Sequence, residues 1–210
     1  NLILLICVLK MNDNRDKNIE FNISSPSEFT QEYFKSMSEV QQNIDLSDLP
    51  EIIDAIQSTI ENGSIVYSMG NGGSSAIADH LVCDFTKGCH TEKSKLKSFS
   101  LNSNTPLFTA ISNDDSYKDS FSKQLEYYVD DGDIILLISS SGNSENIISA
   151  IDYANDKGIT SIALTGFDGG QAKNKATLNI HVPIDNYGII EDIHQSLVHV
   201  IAQFVYLKNK

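Results

Sequence analysis

Asp133-Ile-Ile-Leu-Leu-Ile-Ser-Ser-Ser-Gly-Asn-Ser144 is an apolar run that stops in a cluster of serines around one glycine. A run this short, apolar on both alternating faces, predicts a strand over 133–139 buried in the middle of a parallel sheet. The segment 144–157 then has helical apolar spacing, and Gly158 marks its end. Upstream, Ser64-Ile-Val-Tyr-Ser-Met-Gly-Asn-Gly-Gly-Ser-Ser75 repeats the arrangement, with a short strand, a Gly/Ser loop and a helix expected from about Ala76. Two strand–loop–helix units of one kind imply parallel pairing through right-handed crossovers.

Further out, Phe29, Tyr33, Phe34 and Met37 recur at spacings of three and four, and Leu49, Ile52, Ile53, Ile56 and Ile60 do so behind Pro50. Both stretches are expected helices that precede the first strand. A weak strand is expected over 98–101, helices over 105–112 and 116–129, strands over 159–164 and 177–182, a turn at Asp168-Gly-Gly170, and a long amphipathic helix over about 188–207. The alternation predicts an α/β fold, a three-layer αβα sandwich with a central parallel sheet, doubly wound, with extra N-terminal helices. In such sheets ligands bind beyond the carboxyl ends of the strands.

The 210 residues suit one domain, placed at 26–210 behind a polar tail that ends at residue 25. Asn1-Leu-Ile-Leu-Leu-Ile-Cys-Val-Leu-Lys10 is apolar but far shorter than the roughly 20 residues of a membrane span. It also lacks the basic start and small-residue cleavage site of a signal peptide. Residues 1–10 are read as lying upstream of a natural start at Met11, with a short membrane-associating segment as the alternative. A formal net charge of −13, from 28 acidic and 15 basic residues, argues against nucleic acid as a partner. Cys7, Cys83 and Cys89 lack any paired spacing, which fits reduced thiols in the cytoplasm. No membrane partner is expected.

Both serine loops fall between a strand and a helix, where free backbone N–H groups and the positive helix end favour an anion. Around Asn71, the glycines Gly70, Gly72 and Gly73 permit close backbone approach, and Ser74 is expected to donate a hydroxyl and cap the helix. Ser139, Ser140, Ser141 and Ser144 offer a second set of donors. One such loop is ordinary cap and turn chemistry. Two in one sheet point to a phosphate.

Gly70-Asn-Gly-Gly-Ser74, Ser139-Ser-Ser-Gly-Asn-Ser144 and Ala163-Leu-Thr-Gly-Phe-Asp-Gly-Gly170 resemble the signatures of SIS (sugar isomerase) domains, most closely those of the phosphoheptose isomerase family. The resemblance spans about residues 27–208. It implies a small-molecule sugar phosphate as substrate, held by Ser74, Ser139, Ser141 and Ser144, with Asn71, Gly72, Gly73 and Ser140 in the same loops. It also implies one Zn2+ per subunit and a homo-oligomer, a tetramer, with active sites between subunits. Asn113 and Asp114 resemble the family's substrate-contacting segment, although a turn explains them equally well.

Moving a proton between adjacent carbons through an enediol requires a base, an acid and a group that polarises the carbonyl. His80 and Asp84 lie four apart on one helix face, and Glu191 and His199 lie eight apart, about 80° around the axis. By spacing alone the first pair could be helix-stabilising and the second a wetted face. By the resemblance, these four fall on the family's metal site and catalytic pair, a donor set that suits zinc. Yet the family has Glu where Asp84 stands, Gln at Glu191, Arg near Lys87 and Gly88, and Asp at Gly188. The reading is therefore that His80, Asp84 and His199 share the zinc, Glu191 is the base, and His199 is an acid when metal is absent. Asp84 as base and Glu191 as a further ligand stay open.

The expected activity is interconversion of sedoheptulose 7-phosphate, or a close relative, and D-glycero-D-manno-heptose 7-phosphate for surface polysaccharide. A non-catalytic SIS regulator and an isomerase of another sugar phosphate, such as arabinose 5-phosphate, are the alternatives. His90, expected in a loop, His181, expected to face outward, and His194, a supporting or intersubunit group, carry no direct chemistry in this reading.

Overall fold

The computed structural model describes residues 25–210, and the expectations for the tail before Ser25 lie outside the described residues. Two helices come first, α1 (Pro26–Asn43) and α2 (Leu49–Asn62). The Ser25 hydroxyl accepts the Glu28 N–H at 3.2 Å and opens α1. Five strands follow, β1 (Ile65–Gly70), β2 (Lys97–Ser100), β3 (Ile134–Ser139), β4 (Thr160–Thr165) and β5 (Leu178–His181). Between them run α3 (Gly73–Cys83), α4 (Thr105–Asp114), α5 (Ser122–Tyr128), α6 (Glu145–Lys157) and α7 (Gly170–Lys175), and α8 (Tyr187–Asn209) closes the chain.

All strand pairs are parallel, in the order β2-β1-β3-β4-β5. Strand β3 is buried at every position, as its uninterrupted apolar run requires. Alternate residues feed two cores. Val66, Ile134, Leu136 and Ile138 pack with Ile52 and Ile56 of α2, Leu81 of α3 and Val198 of α8. On the other face Tyr67, Met69, Ile135 and Leu137 pack with Leu125 of α5 and Ile147 and Ile151 of α6. The doubly wound three-layer sandwich is therefore observed. Among the described residues, no helix is long and apolar enough to cross a membrane.

Three local expectations are corrected. Helix α3 begins at Gly73 rather than Ala76, because Gly72 at φ 56° turns the chain into it; Ser74 lies inside the first turn and does not cap it. The helix expected over 116–129 is split into a 3₁₀ turn (Tyr117–Asp119) and α5. The Ser116 hydroxyl accepts the Asp119 N–H at 3.3 Å and diverts the backbone, a local competition that serine offers against a regular helix. The turn at 168–170 runs on into α7, whose polar sequence has no helical periodicity. Tertiary bonds hold α7 in place, from Ala172 N to Gly142 O (2.9 Å) and from Gln171 N to Asn143 Oδ1 (3.1 Å). Gly142 itself has φ 61°, and a Cβ there would strike the Gly169 carbonyl, so the second serine loop and the loop after β4 close on each other only through glycine.

Candidate active site

The chain leaves β1 toward one face of the sheet and β3 toward the other, although the two strands are neighbours. Their loops diverge at the carboxyl ends and leave a crevice between them, the expected ligand site of a doubly wound sheet. A pocket there is lined by Asn71, Gly72, Gly73 and Ser74 from the first loop and Ser139, Ser140, Ser141 and Ser144 from the second, with Ile138, Tyr187 and Glu191. The N-termini of α3 and α6 both open at this place. Among the described residues no Lys or Arg lines it, and the groups there that attract an anion are backbone N–H groups, hydroxyls and helix ends.

The hydroxyls divide by occupation. Ser139 Oγ accepts the Gly142 N–H at 3.2 Å and Ser141 Oγ accepts the Asn143 N–H at 3.3 Å, so both shape the loop. Ser144 precedes α6 without capping it through its side chain. Ser140 is 4% exposed, and its buried hydroxyl has no hydrogen-bond partner. A buried polar group without a partner costs stability unless a ligand satisfies it.

Glu191 comes from α8 and lays its carboxylate against Gly73, where any Cβ would collide with it. Burial, and secondarily the neighbouring Asp192 charge, raises the Glu191 carboxyl above the ordinary carboxylate range. Asp192 itself accepts the Tyr33 hydroxyl at 2.6 Å. Tyr187 forms the outer wall and stands edge-on to Phe167, with ring centroids 4.6 Å apart.

His80, Asp84 and His199 come together as expected. Asp84 Oδ2 lies 3.3 Å from His80 Nε2 and 2.9 Å from His199 Nδ1, and one ligand atom from each residue lies within 4.8 Å of the others. The i, i+4 spacing accounts for the first contact, and α8 packing on the π-helical turn Asp84–Gly88 that continues α3 supplies the second. Despite these distances Asp84 Oδ2 is buried without a hydrogen-bond partner. An oxygen shielded from water and facing two imidazoles in this way fits a cation. Two imidazole nitrogens and a carboxylate oxygen are also a donor set that divalent transition-metal ions take. Glu191 is not in this cluster, and its carboxylate belongs to the serine-loop pocket.

Gln195, which the sequence reading passed over, places Nε2 at 3.1 Å from His199 Nε2. Its signal was available, since Glu191, Gln195 and His199 form one i, i+4, i+8 row. Asn113 and Asp114 pair with each other at the exposed end of α4 and do not line this protomer's pocket. His194 is fully buried within the protomer, which excludes an intersubunit contact. Its Nε2 donates to Thr165 O at 3.1 Å, and burial lowers its pKa to about 4. His181 is half-buried rather than fully outward, with Nδ1 at 3.1 Å from the Thr165 hydroxyl.

A parallel sheet with two hydroxyl-rich anion loops at its switch point, beside an imidazole–carboxylate cluster, defines a sugar-phosphate-handling α/β domain. The SIS domain family model matches residues 28–166. The chain is 36% identical over 173 residues to a probable phosphoheptose isomerase of Thermoplasma acidophilum, covering 82% of this chain and 95% of that protein. It is 32% identical over 187 residues to the phosphoheptose isomerase of Clostridium acetobutylicum, covering 89% and 92%. The structure of a phosphoheptose isomerase from Francisella tularensis superposes with a TM-score of 0.81 at 30% identity, covering 87% of this chain and 99% of the other. The chain therefore belongs to the SIS-domain phosphoheptose isomerase family.

Two outcomes follow from this geometry. Asp84→Asn removes the anionic member of the cluster and should weaken binding of an added divalent cation by more than about 10-fold in a chelator-competition titration. Ser140→Ala should weaken inorganic phosphate binding by about 1.5–3 kcal/mol, the worth of a hydrogen bond to a charged group. Urea unfolding of the free Ser140→Ala protein should show no loss of stability, because the hydroxyl has no partner to lose.

Proposed function

We propose that the protein interconverts sedoheptulose 7-phosphate and D-glycero-D-manno-heptose 7-phosphate, supplying heptose for surface polysaccharide. The observation that carries this reading is that Glu191 is, among the described residues, the one carboxylate lining the pocket of the two serine loops. A substrate phosphate held by Ser74, Ser139, Ser140, Ser141 and Ser144, with the α3 and α6 N-termini behind them, brings the sugar within reach of a carboxylate that burial has made more basic. Glu191 takes the proton from the hydroxyl-bearing carbon and returns it to the adjacent carbon of the enediol, while the hydroxyl proton passes to the former carbonyl oxygen, so that the carbonyl and hydroxyl exchange places. The fixed phosphate keeps both carbons in range during the transfer.

Zn2+ held by His80, Asp84 and His199 would supply polarisation of the substrate carbonyl. In this reading Asp84 Oδ2 faces both imidazoles as a shared ligand of the ion and is not free to act as the base. Gln195 sets the orientation of the His199 ring from its other nitrogen. The unpaired Cys83 and Cys89 are in keeping with a reducing cytoplasm.

The working form is a homotetramer in this reading. Support comes from apolar side chains that the protomer leaves uncovered on α1 and α8, with Phe34 57%, Phe204 54% and Leu207 67% exposed. A groove between α2 and α8, lined by Leu49, Ile53, Val200 and Phe204, continues that surface. Association of identical faces would bury it and leave Asn113 and Asp114 available to a neighbouring subunit's pocket.

Glu191→Gln keeps shape but removes the proton acceptor. Turnover of sedoheptulose 7-phosphate, followed by NMR, should fall by about 10²–10⁴-fold while substrate affinity changes only a few-fold. In the wild type, activity requires the ionised carboxylate. It should therefore be lost as pH falls through the raised Glu191 pKa, at a higher pH than an ordinary carboxylate would set. An active Glu191→Gln enzyme beside a dead Asp84→Asn variant that still holds zinc would return the base to Asp84. Sedimentation at micromolar concentration should show the tetramer, and a monomer there would remove any site shared between subunits.

A further inference from the structure

The side chain of Asn71, in the first loop, has almost no hydrogen-bonding freedom left. Its Oδ1 accepts the Tyr117 hydroxyl at 2.8 Å and Asn146 Nδ2 at 3.0 Å, and its Nδ2 donates to Asn146 Oδ1 at 2.8 Å. An amide oxygen has two lone pairs and an amide nitrogen two hydrogens. The acceptor is therefore saturated, and one N–H is the single remaining valence on a side chain that lines the pocket.

Of the partners, Asn146 is buried and Tyr117 is half exposed. Asn146 is fully buried in the first turn of α6, directly behind the second serine loop, and its other N–H donates to the buried Ser120 hydroxyl at 3.2 Å. Tyr117 stands on the 3₁₀ turn between α4 and α5, its ring edge-on to Phe108 with centroids 5.9 Å apart. Phe108 packs in turn on the buried Phe121. Rotating the Asn71 amide alone would set its nitrogen against Asn146 Nδ2 and its oxygen against Asn146 Oδ1. Both contacts would then be repulsive in a partly buried setting, where a mispaired polar group costs stability.

We propose that Tyr117 and Asn146 are positioning residues that lock the Asn71 amide with its N–H, and not its carbonyl, available to an oxyanion in the pocket. This rests on the phosphate reading given above and deepens it. The reciprocal amide pair joins the loop after β1 to the helix after β3, so the two anion loops are held in one register, and Tyr117 adds a third anchor from the chain between β2 and β3. With its carbonyl outward, Asn71 would repel a phosphate oxygen at the same point. Tyr117 thus acts through Asn71 and need not touch the ligand.

The test is a double-mutant cycle on the full chain, read as the Kd for inorganic phosphate and the KM for sedoheptulose 7-phosphate. Tyr117→Phe keeps the ring and should raise both by about 3–10-fold, the range of one net hydrogen bond. In an Asn71→Ala background the same change should add less than about 2-fold, because its effect is transmitted through the missing amide. In the wild-type protein, phosphate should shift one Asn71 side-chain N–H resonance, assigned by its loss in Asn71→Ala. An unchanged Kd in Tyr117→Phe, an equal loss in both backgrounds, or an unmoved Asn71 resonance while phosphate binds elsewhere in the loops would each overturn the proposal. Absence of phosphate binding by the wild type would instead fail the underlying phosphate assignment and remove the basis of the proposal with it.

Discussion

Strands β1 and β3 lie side by side in parallel, with Val66 opposite Ile134 and Gly70 opposite Ile138, while the chain departs from them toward opposite faces of the sheet. Neither loop can fold back over the crevice without abandoning its own crossover helix. The opening at the carboxyl ends is thus a consequence of the strand order. Two helix N-termini meet at that opening, and the hydroxyls and glycines of both loops converge on it. The rest of the candidate site is arranged around this pairing. Asn71 and Asn146 bridge the loops from within, and α8 closes the pocket with Tyr187 and Glu191.

An acidic chain with an anion pocket is a physical problem that local structure solves. At −13 the protein's overall field repels phosphate at long range, but at physiological ionic strength that field decays over about 8 Å. Inside the pocket, oriented N–H and O–H dipoles at contact distance outweigh screened distant charges. The same argument bears on Glu191. A carboxylate beside the phosphate loops sits in a site built for negative charge, which stabilises it through the end of α3, while burial opposes its ionisation. The net effect is a base stronger than a surface glutamate, in a place where a bound sugar must lie. A bound phosphate would strengthen it further through like-charge repulsion.

Helix α8 carries two kinds of residue on two faces. Ile189, Ile190, Ile193 and Val198 are buried in the core, and His194, also buried, donates to the Thr165 carbonyl at the end of β4. Thr165 O accepts Val182 N as well, and the adjacent Gly166 N donates to Ser140 O, so this point ties α8, β5 and the second serine loop together. The row bordering that buried face, Glu191, Gln195 and His199, is half-buried and is presented to the pocket and to the imidazole–carboxylate cluster. With its proton on Nε2 and a pKa near 4, His194 stays neutral at physiological pH, and the tie is the same in every protonation state of the site.

Much of this was legible in the chain itself. The apolar run over 133–139 could be satisfied only by burial on both faces, and the two Gly/Ser loops after strands marked the anion site, because local chemistry decides both. The i, i+4 spacing of His80 and Asp84 likewise encoded their contact, since helix geometry alone brings them together. What sequence could not decide were features set by packing between distant segments. Helix α7 exists because the Gly142 carbonyl and Asn143 catch its backbone. Glu191 lies with the serine loops, apart from the metal-ligand cluster, because α8 crosses the start of α3 and sets its carboxylate against Gly73. The polarity of Asn71 is fixed by residues 46 and 75 positions away. Periodicity and spacing report what a residue does within its own turn or strand; the crossing of α8 over α3 and the meeting of loops from β1 and β3 depend on the summed packing of two cores, which no local pattern contains.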